Sequence, residues 1–98
     1  MPTIADLVAR AVDRLDALQV LGEEIEDEWT YVTELGDAWR ARLEDVASGR
    51  ATEPATSEQT AAVERAVEEA RAISDPHRAI DWLSTFPQVV LVALGERP

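Results

Sequence analysis

The chain has 98 residues, of which 20 are acidic and nine basic, giving a net charge of −11, and it has no cysteine. That length suits one domain, residues 1–98, with a modest core. The charge argues against gripping nucleic acid by its phosphates or docking on an anionic membrane, and the missing thiols remove disulfides, thiolate nucleophiles and cysteine zinc sites.

Every basic residue is Arg, a composition that GC-rich coding or an acid-rich proteome produces without any functional demand. The opening Met1-Pro2-Thr3 meets Asp6 at once, so no signal peptide is expected. The longest apolar run, residues 89–94, is too short for a bilayer. A cytoplasmic protein is the default expectation.

Thr3 suits a helix cap, with Asp6 in an acidic first turn. From there a seam runs at alternating steps of four and three: Ile4, Val8, Ala11, Leu15, Leu18, Gly22, Ile25, Trp29, Val32, Gly36, Trp39, Leu43 and Val46. None of these is polar. An unbroken heptad phase predicts one long amphipathic helix over about residues 3–48, or two collinear ones, of coiled-coil character. A break at Gly22 is the competing reading, because it sets Glu23, Glu24, Glu26, Asp27 and Glu28 near a favourable helix start. A hairpin there needs a loop, however, and only one breaker is present. On the continuous reading Gly22 and Gly36 are points of close approach that admit a Trp from a facing helix.

Gly49 stops that helix, and residues 49–56 form a loop. Thr56-Ser57-Glu58-Gln59 is a capping box. It opens a helix over about residues 57–73, whose apolar face of Val63, Ala66, Val67, Ala70 and Ile73 is narrow. Asp75-Pro76 starts another helix over about residues 76–84, with Ala79, Ile80 and Leu83 inward and Trp82 beside them. Thr85-Phe86-Pro87-Gln88 resembles a second capping box, leading into a short helix over about residues 87–94. Periodicity leaves a strand open for that segment, but the cap, Gly95 and the want of a partner strand favour helix.

The expected fold is therefore all-α: a long N-terminal helix with three shorter ones folded back. The shorter helices leave part of the seam uncovered, and the terminal one is apolar nearly all round. A bundle completed by self-association follows, with two long helices antiparallel about a two-fold axis. The predicted interface comprises Gly22, Trp29, Val32, Gly36, Trp39, Leu43, Trp82, Phe86, Val90 and Leu94.

Chemistry is thinly signalled. Glu23 and Glu26 stand three apart, and Glu34 and Asp37 repeat the spacing. The segment Glu34-Leu35-Gly36-Asp37-Ala38-Trp39 resembles the all-helical nucleotide pyrophosphohydrolases of the MazG type. The resemblance implies four carboxylates facing one another around magnesium, here Glu23, Glu26, Glu34 and Asp37. Only seven residues separate the two pairs, which leaves no room for a turn between helices. A ferritin-like carboxylate site needs Glu-x-x-His, and the one histidine, His77, lacks that context and reads as surface. Ser48, Ser57, Ser84 and Thr85 read as caps or loop ends.

The expected function is a non-enzymatic helical oligomerisation or interaction module, or small adaptor, with no cofactor. Its partner is a second copy, or another helical or basic protein. The alternatives are a metal-dependent carboxylate enzyme of the kinds just described, and an acidic mimic of nucleic acid.

Overall fold

A computed structural model describes residues 1–97. The heptad seam does form helix, but not one helix. α1 spans Ile4–Gly22, α2 spans Trp29–Gly49, and a short 3-10 turn over Glu26–Glu28 lies between them. The chain reverses there. Asp16 meets Arg40, and Gly22 lies against Val32, so α1 and α2 are antiparallel. The continuous or collinear helix of the sequence reading is corrected to a hairpin.

The physical reason is burial. Folded on itself, the seam hides Ile4, Val8, Ala11, Leu15, Leu18, Val32 and Leu43 inside one chain. An extended helix would leave them wet until a partner arrived, at about 1.5–3 kcal/mol for each large side chain. The seam members that leave the core are Ile25 and Trp29, which fall in and beside the turn.

α3 spans Ser57–Arg71 and α4 spans Pro76–Ala93. The Thr56 box is made as expected: the Gln59 amide donates to Thr56 Oγ1 at 3.0 Å, and the Thr56 amide donates to Gln59 Oε1 at 2.9 Å. Thr3 and Asp6 form a second complete box at the head of α1. The Thr3 backbone N–H holds the Asp6 carboxyl below its ordinary range.

The last two expected helices are one. α4 runs through Pro87 without a break, so the predicted start near residue 87 is also corrected. Thr85 does not cap there; its hydroxyl turns back to the Asp81 carbonyl at 3.4 Å. Proline inside a helix costs about 3 kcal/mol. Burial of Phe86, Val90, Leu91 and Leu94 on both sides of it offsets that cost. Residues 89–94 are helix to Ala93, not strand.

α4 ends in a Schellman turn: the Glu96 amide donates to the Leu91 carbonyl at 2.9 Å and the Gly95 amide to that of Val92 at 3.0 Å. Gly95 has φ 81°, a left-handed conformation that favours glycine. Arg50 donates to the Leu94 carbonyl at 2.7 Å and to Glu96 at 3.0 Å. It also pairs with Glu53. That hydrogen bond holds the Glu53 carboxyl below its ordinary range. The loop holding Arg50 is pinned to the N-terminus in turn: the Ile4 amide donates to the Glu53 carbonyl, and the Ala55 amide to that of Pro2, both at 2.9 Å.

Helix directions follow from these contacts. Gly22 touches Ile80, Trp39 meets Ser84 and Arg50 meets Leu94, so α4 runs parallel to α2 and antiparallel to α1. Arg10 meets Glu64, and Arg14 shares a groove with Arg71, so α3 runs parallel to α1. The core lies between α1 and α4, with α2 on one flank and α3 on the other. Among the described residues every regular element is helical.

Candidate interaction surface

The residues expected to bind a second subunit are mostly spent on the chain's own core. Val32, Leu43, Phe86, Val90 and Leu94 are fully buried. Trp82 is half-buried and packs on that core. Trp39 does the same; its indole N–H reaches Ser84 Oγ at 3.4 Å, and the Arg42 guanidinium sits 5.5 Å from its ring centre. Of the ten, only Trp29 stands mainly in the open, at 52% exposure.

The two glycines are points of close approach, but the intruder is not Trp. A Cβ on Gly22 would stand 3.1 Å from Ile80 Cγ1 and 3.3 Å from Val32 Cγ1. A Cβ on Gly36 would stand 2.2 Å from Gln19 Oε1 and 2.5 Å from its Cδ. These constraints lie within the fold and not between subunits.

A polar ladder lies along the α1–α2 contact. Arg40 donates to Asp16 at 2.8 Å, to Asp37 at 2.8 Å and to Gln19 Oε1 at 2.7 Å. Gln19 passes its amide to Glu23 at 3.2 Å, and Thr33 donates to the same carboxylate at 2.6 Å. The Asp16 hydrogen bond holds Arg40 more firmly protonated than a free guanidinium.

The four carboxylates Glu23, Glu26, Glu34 and Asp37 are not brought together. Glu23 is engaged with Thr33 and Gln19, and Asp37 with Arg40. Glu26 lies in the turn and Glu34 points to solvent. Among the described residues no three acidic, histidine or cysteine side chains gather as a metal would require.

Apolar surface remains elsewhere. Val20, Tyr31, Val89 and Val92 are exposed, along with Trp29. Val20 and the two aromatics are scattered about the end where α1 turns into α2. Trp29 and Tyr31, two apart on a helix, do not share a face. Val89 and Val92 differ: with Thr85 and Gln88 they line one shallow hollow on the outer side of α4. These four fall at helical spacing, and no charged residue occurs between Asp81 and Glu96.

The signal for this face was in the sequence, since the terminal segment is apolar nearly all round. The expectation chose Val90 and Leu94, which the bundle buries, and the uncovered members are their neighbours Val89 and Val92. No protein-family model, curated protein or solved structure matches this chain.

Proposed function

We propose that this chain is a helix-recognition module that joins subunits, acting without chemistry of its own, and that its contact surface is the outer face of α4. One observation carries the reading. In a chain of net charge −11, that face exposes Val89 at 44% and Val92 at 59% and carries no charge between Asp81 and Glu96.

The first partner in view is a second copy. Two strongly acidic molecules repel over most orientations, and like charges set face to face penalise the wrong ones. Meeting through α4 opposes no carboxylates. A two-fold arrangement sets α4 against α4 antiparallel, with the same residues on both sides. A contact confined to one helix face belongs with small, transient interfaces, below about 1,200 Å².

Sedimentation velocity from about 10 µM to about 1 mM tests this, a range matched to the weak affinities of small interfaces. The expected result is a concentration-dependent dimer that strengthens with added salt, as repulsion is screened. Val89→Glu and Val92→Glu should each abolish it without lowering the melting temperature, because both side chains already face water. A dimer indifferent to both substitutions removes the α4 face from consideration.

A second reading has its own observation. Trp29, half exposed, follows Glu24, Glu26, Asp27 and Glu28 directly in the chain. An exposed Trp is an effective anchor, and a basic partner would meet both the ring and the carboxylates. Trp29 emission that shifts on adding a basic helical peptide, but not an acidic one, favours that reading.

A further inference from the structure

The α1–α3 side of the bundle has a different character from the rest of this acidic surface. Arg10 and Arg14 stand one turn apart on α1, where like charges oppose each other. α3 brings Arg71 to the same place. The three arginines line one hollow of about 230 Å³ with Val67 and Asp13. The hollow continues between Arg10, Arg71, Glu64 and Glu68.

The carboxylates around it do not use up this charge. Arg10 meets Glu64 at 2.8 Å, but both side chains are more than half exposed. Arg71 reaches Glu68 only at 3.7 Å, with both again largely in water. Such surface pairs hold weakly and exchange readily. Arg14 has no carboxylate within ion-pair distance among the described residues. Its Nε is buried and without a hydrogen-bond partner.

We infer that the groove between α1 and α3 binds a small oxyanion, a phosphate or carboxylate group, through Arg10, Arg14 and Arg71. The chemistry fits: guanidinium groups offer paired donors that match two oxygens of such a group. The size fits as well, since roughly 300–1,000 Å³ is needed to enclose a whole drug-sized ligand. The guest is therefore a small anion, or a terminal group of something larger that projects outward. Asp13, Glu64 and Glu68, which line the same hollow, balance three positive charges with three negative ones, so binding is modest. The distant carboxylates matter little at physiological salt, where screening acts within about 8 Å.

The test is a nuclear magnetic resonance titration of the full chain with inorganic phosphate, acetate or chloride at matched ionic strength. Saturable shifts confined to residues 10–14 and 67–71 are expected with phosphate or acetate and not with chloride. A preference for phosphate points to a phosphate ester as the natural guest, and a preference for acetate to a carboxylate of a partner chain. Arg14→Gln and, independently, Arg71→Gln should each weaken binding at least tenfold at unchanged helix content. Arg78→Gln, at the head of α4 and not among the residues that line the groove, should leave it unaltered. Chloride acting as well as phosphate, or undiminished binding in a folded Arg14→Gln or Arg71→Gln protein, overturns the inference.

Discussion

At the scale of single residues, Gly36 has the most to lose. Gln19 lies where its Cβ would be, and Gln19 is not free to swing aside, because its Oε1 accepts from Arg40 at 2.7 Å and its amide donates to Glu23 at 3.2 Å. Gly36→Ala must displace that side chain and break both bonds. A loss of about 1–3 kcal/mol is expected, the usual range for overpacking. Gly49 is the internal control. A Cβ there meets nothing within 4 Å, so Gly49→Ala should be neutral or stabilising by about 0.5–1 kcal/mol. Urea unfolding of the two variants measures the difference. The sequence marked Gly36 as a close approach, but nothing in it named Gln19, a polar residue just off the seam that the bundle buries almost completely.

At the scale of elements, the hairpin is the main departure from what the pattern implies. A stripe at steps of four and three requires only that each helix be in phase with itself. Two helices that meet stripe to stripe satisfy it as well as one long helix does. The six residues 23–28 compounded the ambiguity, because five carboxylates read equally well as the outer rows of a helix and as a turn. Spin labels at Ala9 and Glu44 separate the alternatives. Both residues are exposed and line the same α1–α2 groove, so a short distance is expected by double electron–electron resonance. A continuous helix would hold them roughly 50 Å apart at 1.5 Å per residue. The fate of Pro87 has a similar cause. Thr85 and Gln88 had the right spacing for a cap, and the sequence alone does not weigh a lost amide against the burial of Phe86 and Leu91. By contrast, the Thr3 and Thr56 boxes were legible because a cap is a local device, complete within four residues.

At the scale of the whole molecule, the need for a partner shrinks. A monomeric protein of 10.8 kDa is expected to expose about 5,500 Å², and this chain exposes 5542 Å². Its Cα radius of gyration is 13.0 Å, close to the value of about 13 Å for a self-contained domain of this length. Self-association is thus no longer required to hide the seam. A contact between two copies would have to use what the bundle leaves over, chiefly the uncharged α4 face proposed above. This is why the all-helical class was readable while the contact surface was not. The class follows from periodicity, whereas the surface depends on which side of each helix the hairpin consumes.

The junction around Arg50 bears on the chain's connectivity. One guanidinium grips the final turn of α4, while the same loop zips onto the backbone of Pro2 and Ile4. Both extremities are thereby moored at one pole, and the acidic turn between α1 and α2 lies at the other. Pro2 and the end of α4 are held to one loop, so the chain can be joined there and opened at an exposed turn. A permuted gene that splices the extremities with a flexible bridge and opens the circle between Asp27 and Glu28 should yield the same bundle, with a matching circular dichroism spectrum and melting curve.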